Sequence, residues 1–116
     1  KDNAQSSFQR GVMSLLILSL LDQEDMYGYQ MIEELSRRSE RAFALKTGTL
    51  YPLLHSLEEK ELIRSYEKDE GAARPRRYYH LERKGQHLLR EKEVEWATFT
   101  TAVDRVLKGG VCLGSA

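Results

Sequence analysis

Cysteine is almost missing from this chain: Cys112 is the single one among 116 residues. No internal disulfide can form and no thiol pair offers metal spacing, which fits a reducing compartment. Histidine is scarce too, and His55, His80 and His87 are scattered, so no clustered metal set is expected and no metal or cofactor is called for. There is no glycine-rich phosphate loop and no cysteine–histidine pair at a usable spacing, which argues against an enzyme. Long apolar runs are absent as well. Val12–Leu21 extends for ten residues between Arg10 and Asp22, about half of what a bilayer requires. As a signal core it lacks a small-residue cleavage site after it. The expectation is a soluble, cytoplasmic protein with no membrane partner.

Charge of one sign is also lacking: 18 basic side chains face 18 acidic ones. The zero balance gives no global hint of a polyanionic partner, but the distribution does. Residues 1–36 carry two basic and six acidic side chains, while residues 64–90 carry eight basic and four acidic ones. A local basic patch is what counts for binding phosphate. At 41% hydrophobic residues one thin core is affordable, one that leans on a partner.

What is present centres on residues 46–60. Leu50, Leu53, Leu54 and Leu57 recur at helical spacing and define a buried face. Thr47 or Thr49 can cap the start, and Pro52 is tolerated near a first turn. The opposite side shows Lys46, Thr49, Tyr51 and His55, donors and a ring at an exposed helix N-terminus. Alone, this describes either an ordinary wet helix face or a helix that enters the major groove of DNA.

The neighbours favour the second reading. After a loose polar arm, Phe8 to about Leu21 is apolar nearly all round, a helix buried on most faces. A polar turn over Asp22–Gly28 precedes an amphipathic helix through about Arg38. Leu62–Glu67 and Arg77–Leu81 read as two strands around a turn holding Gly71 and Pro75. Alternation puts Arg77, Tyr79 and Leu81 on one side, with Leu81 facing the core, and Arg76, Tyr78 and His80 on the other. Arg76 is then the residue for outward reach, and Arg77 lies along the sheet edge. A last helix runs from Glu82 to Lys108, with Leu89, Trp96 and Val103 seven apart, Phe99 and Val106 in a second seam position, and Lys92 breaking that seam once. It packs either on Phe8–Leu21 or against a second copy of the chain.

Three helices, an arginine hairpin and a helix make a mostly α fold with a small β-hairpin: a winged helix-turn-helix with a long C-terminal dimerisation helix. The expected division is residues 8–81 for DNA binding, 82–108 for dimerisation and 109–116 as a flexible tail. A winged helix used only for protein contacts is the rival, but it needs no arginine hairpin beside a Thr/Tyr-rich helix start.

Met26-Tyr27-Gly28-Tyr29-Gln30, Thr47-Gly48-Thr49-Leu50-Tyr51-Pro52-Leu53-Leu54, and Arg76-Arg77-Tyr78-Tyr79-His80-Leu81 with Gly85 together resemble the PadR family of bacterial transcriptional regulators, over roughly residues 10–107. The resemblance implies a homodimeric repressor of the short subclass with a single C-terminal helix. It also implies a double-stranded, inverted-repeat operator and release by a small, often aromatic, inducer. Two residues depart from the pattern. Glu61 stands where glycine usually follows the recognition helix, so a different exit or strain is expected. Glu82 replaces the usual threonine cap of the last helix.

By match to the motif, Thr47, Thr49, Tyr51 and His55 face DNA, and Lys46 joins them by geometry alone. Tyr51 and Thr49 would donate to phosphate, and Thr47 and His55 would read base edges. Tyr29 either covers a phosphate or is a half-buried ring. Arg74, Arg76 and Arg77 hold the wing to the backbone or minor groove. Leu89, Trp96, Phe99, Val103 and Val106 form the dimer seam. Trp96 is either a dimer anchor or one wall of an inducer pocket with Phe8, Val12, Leu15 and Phe99.

Overall fold

Leucine and isoleucine spaced three and four apart drive the helices, and the short aromatic runs pair beside them. The computed structural model describes residues 3–69, 71 and 74–109, with backbone only for residues 3–9. The chain runs α1 (Asn3–Gln23), β1 (Met26–Tyr27), α2 (Gly28–Arg38), α3 (Thr47–Glu59), β2 (Ile63–Lys68), β3 (Arg76–Leu81) and α4 (Arg83–Leu107). The sheet is antiparallel in the order β1–β3–β2.

Helix α1 starts at Asn3, five residues before the expected Phe8. No proline or run of glycines stops the apolar segment from propagating backward through Asn3–Ser7, since extending a formed helix is far easier than starting one. The expected tail lies, apart from Gly109, outside the described residues. The polar turn before α2 hides β1, whose Met26 and Tyr27 pair with Tyr79 and Tyr78.

The core is made by α1 (Ile17, Leu18, Leu20, Leu21), α2 (Met31, Leu35) and α3 (Leu50, Leu54, Leu57), closed by Ile63, Tyr79, Leu81 and Leu89. Each such aliphatic side chain contributes roughly 1.5–3 kcal/mol when fully buried. Leu89 is 1% exposed, so it belongs to this chain's own core; of the expected dimer seam, Trp96, Phe99, Val103 and Val106 are left outside.

Two corrections concern helix ends. The N-cap of α3 is Lys46, extended at φ −105° and ψ 157°, with no side-chain cap hydrogen bond. Its carbonyl accepts from Thr49 at 3.0 Å and Leu50 at 2.8 Å, so neither threonine hydroxyl serves as the cap. At the other end Glu61 takes the left-handed conformation, φ 64°. Leu62 N–H donates to the Leu57 carbonyl and Glu61 N–H to that of Glu58, the paired bonds of a Schellman cap. Of the two outcomes expected of Glu61, strain is the one found: the usual exit is kept with a side chain in the glycine position.

Helix α4 starts after Glu82, whose N–H donates to the Leu62 carbonyl at 2.9 Å. A Cβ on Gly85 would overlap that same carbonyl, so glycine is what lets the start of α4 lie this close to the Leu62 backbone just before β2. Arg90 pairs with Asp22 at 3.1 Å and ties α4 to the end of α1. Beyond it, among the described residues, only Lys92 and Thr100 are half-buried. The helix is roughly 38 Å long, and it gives the molecule its 61 × 29 × 28 Å extents.

Candidate nucleic-acid interface

The apolar face of α3 is buried, which turns its first two turns outward next to the hairpin. Between them lies a cleft of about 350 Å³ lined by Tyr27, Gly28, Tyr29, Tyr51, Arg76 and Arg77. The start of α2 supplies Tyr29, 59% exposed, and α3 supplies Tyr51, 45% exposed. Gly28 opens the space between them, because a Cβ there would overlap the Tyr51 hydroxyl. Phenolic donors and two guanidiniums around one cleft are a set of groups suited to a phosphate backbone.

The other expected contact residues are dispersed. Thr47 and His55 are exposed on α3, and His55 Nε2 sits 3.7 Å from the Glu59 carboxylate one turn on. Lys46 and Thr49 line a separate groove toward α1, with Met13, Leu45 and Leu53. Arg74 is exposed in the loop between β2 and β3 and does not line the cleft. In the sequence Tyr27 stands out only within the family motif, and Gly28 there and as the end of a polar turn. The usable signal was a glycine wedged between two tyrosines, which marks a close approach.

The hairpin is braced from behind. Tyr66 donates to Asp25 Oδ2 at 2.6 Å, and His80 Nδ1 lies 2.9 Å from Asp25 Oδ1. Burial opposes the Asp25 charge, but the hydrogen bonds from Tyr66 and His80 and the positive fields of His80 and Arg64 outweigh it. Its carboxyl sits below the ordinary aspartate value. The same bond raises the Tyr66 phenol. On the face opposite the core Arg76 is exposed, as expected of it, but Tyr78 is covered: it is 8% exposed, stacked on Tyr66 at 5.8 Å and edge-on to Tyr27 at 5.4 Å. On the opposite side Tyr79 and Leu81 are buried, while Arg77 donates to Ser65 Oγ at 3.1 Å along β2.

A second cavity, of about 370 Å³, opens between α1 and α4. Val12, Leu15, Trp96 and Phe99 line it together with Gly11, Lys92 and Glu95. The Trp96 and Phe99 rings are 6.0 Å apart and tilted by 36°. The Phe8 side chain lies outside the described residues. Lys92, which interrupts the apolar seam in sequence, is here a polar member of the lining.

The sequence profile of the transcriptional regulator PadR-like family matches residues 17–91, from the middle of α1 through the winged helix into α4. An uncharacterised protein of Lysinibacillus sphaericus is 34% identical over 105 residues, which is 90% of this chain and 96% of that one. A PadR family transcriptional regulator from Eggerthella lenta superposes with a TM-score of 0.76 at 32% identity, over 92% of this chain and 91% of its own. A transcriptional regulator from Clostridium thermocellum gives a TM-score of 0.78 at 28% identity, over 85% and 96%. No helix among the described residues is long and apolar enough to cross a membrane. With its winged helix and its donor-lined cleft, the chain belongs to the PadR-like family of transcriptional regulators and is a DNA-binding regulator, not an enzyme.

Proposed function

We propose that the chain is a homodimeric repressor that grips an inverted-repeat operator and lets go when a small aromatic molecule enters the cavity between α1 and α4. The observation that carries this reading is the cleft shared by Tyr29, Tyr51, Arg76 and Arg77, beside the exposed start of α3. In it, α3 enters the major groove with Thr47 and His55 toward base edges. Lys46, Thr49, Tyr51 and Tyr29 hold phosphate, and the wing arginines Arg74, Arg76 and Arg77 follow the adjacent backbone. A chain working on chromosomal DNA works in the cytoplasm.

Dimerisation is supported by the uncovered seam of α4. Trp96 is 41%, Phe99 50% and Val106 79% exposed, and an apolar stripe of this kind is a partner surface. The cavity lined by Val12, Leu15, Trp96 and Phe99 borders that seam, so a planar ligand there would reach the helix that sets the spacing of the two binding units.

The experiment is a gel shift at low salt on the DNA immediately upstream of the protein's own coding region, with and without competitor DNA. A tight, competitor-resistant shift containing two protomers is the expected result. No shift under conditions where phosphate contacts are strongest removes the repressor reading.

A further inference from the structure

The register of the hairpin sets two cations directly opposite each other, Lys68 across from Arg76. Like charges at facing positions repel, and the structure separates them over different rings. Lys68 Nζ lies 5.1 Å from the Tyr78 centroid, while the Arg76 guanidinium carbon lies 4.4 Å from the Tyr27 centroid. Tyr27 cannot easily follow the arginine's motions. Its backbone pairs with Tyr78 in the sheet, its ring meets Tyr78 edge-on at 5.4 Å, and it forms the N-cap of α2, where its N–H donates to the Gln30 side chain at 3.4 Å. Tyr27 and Arg76 both line the cleft that also holds Tyr51 and Arg77.

We propose that Tyr27 is a positioning residue for DNA binding: its ring holds the Arg76 guanidinium at the mouth of the cleft. The inference rests on the reading of Arg76 as a wing contact and extends it to a side chain that itself need not touch DNA. A ring face attracts a guanidinium, and an arginine already held in place loses less conformational freedom when it meets phosphate. The requirement is for the aromatic ring, not for the phenol oxygen.

The test compares wild type, Tyr27→Phe, Tyr27→Leu, Arg76→Ala and the Tyr27→Leu/Arg76→Ala double variant on a random-sequence duplex over a range of salt. Arg76→Ala is expected to weaken binding by about three- to tenfold and to flatten the salt slope by about one unit. Tyr27→Leu is expected to lose about half of that in logarithmic terms, and Tyr27→Phe to bind as wild type. In the alanine background, Tyr27→Leu should have no further effect. A Tyr27→Leu loss that persists in that background, or a Tyr27→Phe loss as large as that of Tyr27→Leu, overturns the proposal while leaving Arg76 as a contact. If Arg76→Ala itself binds like wild type with an unchanged slope, the wing reading has failed and this proposal with it. Should Tyr27→Leu not fold, the Arg76 side-chain protons in the wild-type protein report directly. An upfield ring-current shift supports the proposal and ordinary shifts overturn it.

Discussion

The Tyr51 hydroxyl fills the space that a Cβ on Gly28 would occupy. One atom at residue 28 thus controls whether a phenol from α3 can lie against the start of α2, in the cleft that both residues line. Gly28→Ala is expected to push Tyr51 aside, cost about 1 kcal/mol through overpacking and weaken DNA binding several-fold. Denaturant unfolding and a DNA titration measure the two effects separately. If Gly28→Ala binds DNA as wild type does, the placement of Tyr51 is unimportant to binding.

Glu61 holds the left-handed position after α3 at φ 64°, where a side chain crowds the following carbonyl at a cost of roughly 1–2 kcal/mol. Glycine removes that crowding but gives the unfolded chain more freedom. The net expectation for Glu61→Gly is a gain of about 0.5–1 kcal/mol, read as a higher urea midpoint at unchanged slope. A lower midpoint would mean that the Glu61 side chain makes a compensating contact.

Asp25 is held ionised by Tyr66 and His80, with its carboxyl below the ordinary value. A depressed carboxylate contributes stability that is present above its unfolded value and is lost as pH falls through its folded one. Wild type should therefore exceed Asp25→Asn in melting temperature near neutrality. The gap should close as the pH drops below about 3.9, the ordinary aspartate value. Parallel melting curves from pH 7 to pH 2 would show that the brace does not depend on this charge.

Trp96 is the one tryptophan of the chain, so its emission reports on the α1–α4 cavity without interference. A planar aromatic ligand that releases DNA is expected to quench it. Trp96→Ala should shift the monomer–dimer equilibrium toward monomer by at least tenfold in sedimentation velocity experiments. Release of DNA with unchanged Trp96 emission would locate the ligand elsewhere, and an unchanged equilibrium would remove Trp96 from the dimer seam.

Helical spacing made the fold largely legible before any coordinates. Leu50, Leu54 and Leu57 announce α3, and all three are buried. The aromatic runs announce the hairpin, found at Ile63–Lys68 and Arg76–Leu81. Strand β1 was not legible, because two residues show no periodicity and their pairing partners, Tyr78 and Tyr79, lie far along the chain. Leu89 shares a heptad position with Trp96, and nothing in sequence says that one turns into the core and the other away from it. The cleft was half legible. Tyr51 and the arginines stand out by type, but the role of Tyr27 depends on where a guanidinium comes to rest, and that is settled by cross-strand register.

Leu62 joins several of these parts at once. Its N–H closes the end of α3, its carbonyl takes the Glu82 N–H that starts α4, and its backbone abuts Gly85. The end of α3, the start of β2 and the root of α4 therefore meet at one residue, and if α3 and the hairpin hold DNA as proposed, the opening between them would act like the jaws of a calliper. Such a device would gauge a duplex instead of adapting to it. Base pairs that the protein never touches would then matter through the groove width they impose, and a stiff or swollen stretch of DNA would be turned away by its calibre before any base edge is read.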